Sequence, residues 1–225
     1  MTESKYEKNA ADERIVGEFL DEYFYPVIEK KYTNTIKSIN RNFNVSKQNK
    51  GVDVILKSNN GSIINIDEKA ATEHLNKGLP TFVLEIYFLK DEILKDGWLF
   101  GEKYSDTDTY LFCWIWTEDT DKVLSVENIK HIEAYSIRKS ELKQLLNDNY
   151  GINKLNYKQK SKLAAKEINS TNRNVYLKGN SGPRWNISHQ KNEKPITLVT
   201  PKHILKKVTK TIFNISKHEV KIKEL

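Results

Sequence analysis

Residues 110–117, YLFCWIWT, constrain the fold more than any other stretch. The run is almost unbroken in apolarity and rich in aromatic and β-branched side chains, so it reads as a strand buried on both faces in the middle of a sheet. Such a strand needs covering layers, and the surrounding sequence offers them. Residues 11–31 place Ile15, Val16, Phe19, Leu20, Tyr23, Phe24 and Val27 at three- and four-residue spacing, which predicts one helix with an apolar face. Residues 51–56 alternate as a strand, SNNGS at 58–62 is turn chemistry, and 62–69 (SIINIDEK) return as a second strand. Residues 81–89 (TFVLEIYFL) form a third. A short strand at 135–138 precedes a helix at 139–147, and short strands are expected near 175–177 and 185–187. Residues 196–199 are a last strand, and Pro201 opens a basic helix reaching Lys210. This order predicts an α/β (α+β) fold, a mixed β-sheet flanked by helices with a basic C-terminal extension.

Charge divides the chain. The net charge of +7 over 225 residues combines 17 Lys and Arg against four Asp and Glu in residues 151–225, a net of +13, with −6 in residues 1–150. We therefore expect a core at 1–150 and a basic region at 151–225, packed on that core and contacting nucleic acid. The lone cysteine, Cys113, excludes a disulfide scaffold and a cysteine-based zinc knuckle, and inside the apolar run it reads as an inert core thiol. No apolar leader opens the sequence and no run of 18 apolar residues follows, so a cytoplasmic protein without a membrane partner is expected.

Asp53 lies in the first predicted strand and Asp67 and Lys69 in the second. Side chains alternate along a strand, so Asp67 and Lys69 share a face and Glu68 takes the other. A three-residue connection, Asn59-Asn60-Gly61, would pair Ser58 with Ser62 and set Asp53 directly opposite Asp67, whereas a loop one residue shorter would separate them onto opposite faces. Opposed carboxylates repel unless a cation lies between them. Oxygen ligands of this kind suit Mg²⁺ or Mn²⁺, and the chemistry they support is hydrolysis at a phosphoryl centre, with Lys69 orienting water or neutralising charge. Glu85 in the third strand could turn toward Asp67 as a further metal ligand, or face solvent.

An acidic residue at a strand end, a β-turn and then Asp/Glu-x-Lys on the next strand resembles the PD-(D/E)XK nuclease superfamily, the restriction-endonuclease-like fold. The matching residues are Val52-Asp53 and Asp67-Glu68-Lys69, within a helix-and-sheet stretch from residue 11 to 116. Val52 stands where the motif has proline, and Asp67 replaces the more frequent Glu. The resemblance implies Mg²⁺-dependent cleavage of DNA, with Asp53, Asp67, Lys69 and a carboxylate of the first helix in the catalytic set. Ala11-Asp12-Glu13-Arg14-Ile15-Val16 resembles the short motif that supplies that carboxylate. Glu13 is favoured there, with Asp12 close behind, over Glu18 on the opposite side of the helix. Nucleases of this fold often act as dimers, so a homodimer on duplex DNA is a further expectation.

In the basic third, Lys178, Arg184, Trp185, Lys206 and Lys207 are candidate DNA contacts, the lysines to phosphates and Arg184 beside Trp185 at a groove. A solvated basic face is the plain alternative. GNSGPR at 179–184 lacks the spacing and the lysine of a phosphate-binding loop, and the five histidines show no metal or triad spacing. The sequence thus points to a metal-dependent DNA endonuclease of restriction or mobile-element type. A catalytically inactive DNA- or partner-binding protein of the same fold, and a small protein whose basic tail contacts RNA, are the competing classes.

Overall fold

The computed structural model describes residues 5–90, 93–119, 123–168, 173–187 and 195–225. Its elements are, in chain order, α1 (Lys5–Tyr23), α2 (Tyr25–Lys31), β1 (Ile36–Arg41), α3 (Val45–Gln48), β2 (Val54–Ser58), β3 (Ile63–Ala70), β4 (Thr81–Lys90), β5 (Ile93–Asp96), β6 (Thr109–Thr117), β7 (Ile129–Arg138), α4 (Lys139–Tyr150), α5 (Tyr157–Glu167), β8 (Asn174–Tyr176), β9 (Arg184–Ile187), β10 (Ile196–Pro201), α6 (Lys202–Leu205), β11 (Thr209–Ser216) and β12 (Val220–Glu224). The fold is mixed α+β. Among the described residues no helix is long and apolar enough to cross a membrane.

The chain forms two compact units, Met1–Leu79 with Thr107–Arg138 and Thr209–Leu225, and Pro80–Asp106 with Lys139–Val208. The expected division at residue 150 is not the one it makes, because β11 and β12 from the basic third return to complete the first unit's sheet.

That sheet has seven strands in the order β1-β2-β3-β6-β7-β11-β12, with β6 at its centre as the apolar run requires. β3 and β6 pair in parallel, and the remaining pairs are antiparallel. Alternation splits the β6 side chains. Leu111, Cys113 and Ile115 join Val54, Ile132 and Ala134 beneath Val16, Phe19 and Leu20 of α1, Ile28 of α2 and Phe24 between the two helices. Each such apolar side chain contributes about 1.5–3 kcal/mol on burial. Cys113 is fully buried and its thiol pKa is pushed well up by that burial, as expected of an inert core residue.

Three departures from the sequence expectations have local causes. The single helix over residues 11–31 is two helices, because Pro26 in the first turn of α2 has no N–H to donate and its ring crowds the preceding turn. β1 carries a register shift between Ile36 and Ser38, so Ile36 and Ile39, three residues apart, both pack toward the core and hide the period of two. After Pro201 the α-helix lasts only for Lys202–Leu205, and a 3-10 turn over Lys206–Val208 leads into β11.

The second unit is built on a five-stranded antiparallel sheet, β5-β4-β10-β9-β8. Tyr157 of α5 stacks on Tyr87 and Phe100 with centroids 5.5 and 4.8 Å away and donates to Asp96 Oδ1 at 3.0 Å.

Candidate metal centre

The β2–β3 hairpin sets the site. Ser58 N donates to Ser62 O at 2.9 Å, and Gly61 N to Ser58 O at 3.1 Å. Gly61 takes φ +87, a left-handed conformation that lets a three-residue turn close a right-twisted ribbon. The register runs from Lys57 opposite Ile63 to Val54 opposite Ile66, and Asp53 N donates to Ile66 O at 2.9 Å, so Asp53 comes opposite Asp67. The longer of the two loops weighed from the sequence is the one present. Asp53 Oδ2 is then fixed by the Glu68 N–H at 2.8 Å.

Asp67 has no exposed surface. Lys69 Nζ stands 2.6 Å from its Oδ1, and beyond that ion pair neither carboxylate oxygen receives a hydrogen bond. Burial, and then the neighbouring Asp53 carboxylate, push the Asp67 pKa up to about 7 against the attraction of Lys69. Burial works against the Lys69 ammonium, but Asp67 first, then Asp53 and Glu13, hold its pKa above the ordinary lysine value. Glu13 of α1 joins this set: burial of its carboxyl raises its pKa, Lys69 opposes the rise, and Asp53 and Asp12 add to it. The residue as a whole remains open to solvent while Asp12 is buried. Glu18 instead pairs with exposed Arg14 at 3.7 Å, on the outer side of the helix.

Gly51 closes the site from below. It adopts φ +76, and a Cβ there would meet Asp67 Oδ2 at 2.7 Å and Thr107 Oγ1 at 2.9 Å. Gly51→Ala is therefore expected to cost about 1–3 kcal/mol through backbone strain and to displace Asp67, seen as a lower chemical-denaturation midpoint together with weaker Mn²⁺ binding.

Two sequence candidates take places that differ from those expected. Glu85 lies on β4 of the five-stranded sheet, paired with Thr197, whereas Asp53, Asp67 and Lys69 belong to the seven-stranded sheet. The neighbour of β3 is β6, because the chain builds β4 and β5 in the other unit before returning. Trp185 is only 2% exposed, which removes it from any stacking on DNA, and Arg184 beside it is half-buried with Nε donating to Asn174 Oδ1 at 3.1 Å. Lys178, Lys206 and Lys207 are exposed.

On the other face of β3 lies a group the sequence reading did not find. Arg41 of β1 forks onto Asp21, with Nε to Oδ2 at 2.9 Å and Nη2 to Oδ1 at 2.8 Å. It also donates to Gly17 O at 2.9 Å and pairs with Glu68 at 2.5 Å, while Tyr25 OH donates to the same Glu68. Gly17 admits this contact, since a Cβ would lie 3.2 Å from Arg41 Nη2. The signal for it was Glu68 itself, an acid that alternation turns toward an apolar core and that therefore needs a cation.

Among the described residues no three His, Cys, Asp or Glu side chains form a ready-made metal cage. The pair present still fits a hard divalent ion. Mg²⁺ characteristically takes one or two carboxylates and completes its shell with waters and substrate phosphate, and Asp67 offers buried oxygens short of donors. A cation held there would require the ionised Asp67, so any Mn²⁺ affinity is expected to rise about tenfold per pH unit up to about 7 and then to level off, as titration calorimetry between pH 5 and 8 would show. Comparison with family models, with curated proteins and with solved structures returned no match.

Proposed function

We propose that this protein is a Mg²⁺- or Mn²⁺-dependent endonuclease that hydrolyses DNA phosphodiester bonds, built on a restriction-endonuclease-like core. The observation that carries the reading is the hairpin register opposing Asp53 to Asp67 with Lys69 on the same face. The helix α1 followed by a mixed sheet agrees with it. Asp53 and Asp67 would hold the ion, which when bound polarises a phosphoryl oxygen and lowers the pKa of a coordinated water. Lys69, kept protonated by three carboxylates, is a fixed positive charge for orienting that water or offsetting charge on the phosphate. Glu13, with its raised pKa, can hold or release a proton beside it.

The direct test is incubation of supercoiled plasmid and of circular single-stranded DNA with the full chain in Mg²⁺ or Mn²⁺ and in chelator. Nicked and linear products only with metal support the reading, and plasmid and circular single-stranded DNA both left intact at every metal concentration overturn it. The Asp67–Lys69 ion pair, which occupies one of the two carboxylate oxygens, favours the alternative of an inactive DNA-binding protein of the same fold, which would bind DNA equally with and without metal. Reversing Lys206 and Lys207 to Glu is expected to weaken duplex binding about tenfold at low salt and flatten its salt dependence by about two ions. Mn²⁺ affinity should not change.

A further inference from the structure

Residues 42–51 join β1 to β2 and lead directly into Asp53. Phe43 and Val45 in this loop present 83% and 67% of their surfaces to solvent. An aromatic ring left in water forgoes the stabilisation of burial. The loop is braced. Asn42 Nδ2 donates to Val52 O at 2.6 Å, Gln48 Nε2 to Asn42 O at 2.7 Å and Val52 N to Lys47 O at 3.1 Å, while Asn44 Oδ1 caps α3 through Lys47 N. Asn42 N also donates to Asp53 O at 2.8 Å, tying the loop to the metal centre itself. Its charge is of one sign: Lys47 and Lys50 are exposed, and no acid occurs between Glu29 and Asp53.

A firmly held aromatic tip flanked by two ammonium groups, beside paired carboxylates suited to a phosphate-bound cation, matches a nucleic acid strand. We propose that this loop engages the DNA substrate, with Phe43 stacking on an unpaired base next to the scissile phosphate and Lys47 and Lys50 contacting the flanking phosphates. The proposal rests on the nuclease reading and sharpens its substrate class. Base faces are covered inside a duplex, so an aromatic side chain reaches one only where the strand is single or splayed. The preferred DNA therefore carries unpaired nucleotides at the cut.

The test measures binding alone, in the Asp67→Asn chain. Anisotropy is recorded for a labelled single strand and for the blunt duplex of the same sequence. Adding Phe43→Ala is expected to weaken single-strand binding about tenfold and duplex binding less than about twofold, with Phe43→Trp restoring the difference. Unchanged single-strand affinity, or equal loss on both DNAs, overturns the proposal. Failure of the nuclease reading registers elsewhere, as both plasmid and circular single-stranded DNA left intact by the wild-type chain in Mg²⁺ and in Mn²⁺.

Discussion

Replacing Asp67 by asparagine is expected to give a protein that melts at a higher temperature above pH 7 and, on the proposed nuclease reading, to lower the metal-dependent cleavage of DNA severely. The loss of activity would follow from removing a carboxylate proposed to hold the ion: the several kcal/mol of charge stabilisation an ion supplies, at tenfold per 1.36 kcal/mol, correspond to a rate lower by about a thousandfold. The stability gain follows from the pKa. The Asp67 carboxyl sits near 7 in the folded chain against 3.8 as its ordinary value. The folded state thus binds a proton that the unfolded state releases, and wild-type stability falls as pH rises from about 4 to about 7. Asparagine has the same shape, its carbonyl can still accept from Lys69, and Asp53 and Glu13 remain to balance that ammonium. Each kcal/mol recovered is worth about 2–4 °C in Tm at this chain length, so a rise of several degrees is expected at pH 8, shrinking as pH falls toward 4. Calorimetric scans of metal-free protein at both pH values check it. A variant that melts lower than wild type at pH 8, or cleaves at the wild-type rate, contradicts the account.

Arg41→Ala is expected to be the most destabilising of the substitutions considered. Arg41 and Glu68 have side chains only 14% and 10% exposed, and the arginine also ties α1 to the sheet through Asp21 and the Gly17 carbonyl. Removing it strands the Glu68 carboxylate in a largely buried position, a loss of about 3–5 kcal/mol, or about 10 °C in Tm. Arg41→Lys keeps the charge but not the planar fork, so it should recover only part. Arg41→Met combined with Glu68→Leu should recover most, because it removes the isolated charge with its partner. Gly17 lies one helical turn beyond Glu13, so on the proposed nuclease reading Arg41→Lys should also lower cleavage by loosening Glu13 against Lys69. Denaturant unfolding of the three variants separates these outcomes, and a single Arg41→Ala chain as stable as wild type would contradict the assigned role of the ion pair.

The hairpin was legible because turn chemistry fixes register. A glycine that can take positive φ after two asparagines selects the three-residue loop, and the opposition of Asp53 and Asp67 follows from it. The centre of the sheet was legible because β6 is apolar on both faces. Partners of strands were not. β4 and β6 share one alphabet of aromatic and branched residues, and nothing in alternation says that β4, with Glu85, joins a different sheet from β3. The bulge in β1 concealed a strand, and with it Arg41, the cation that Glu68 required. The charge of the last third was legible as a sum but not as a pattern. Part of it lies on β12, where Lys221 and Lys223 are exposed on a sheet-edge strand and guard it against pairing with other chains. Trp185, read as a partner for DNA, went to the core.

The central claim is that Asp53 and Asp67 hold one divalent cation, and Mn²⁺ titration followed by the electron spin resonance of the free ion tests it most directly. One ion bound per chain is expected in wild type and in Glu85→Gln, with binding lost in Asp53→Asn and in Asp67→Asn. Undiminished Mn²⁺ binding in Asp67→Asn would contradict the claim.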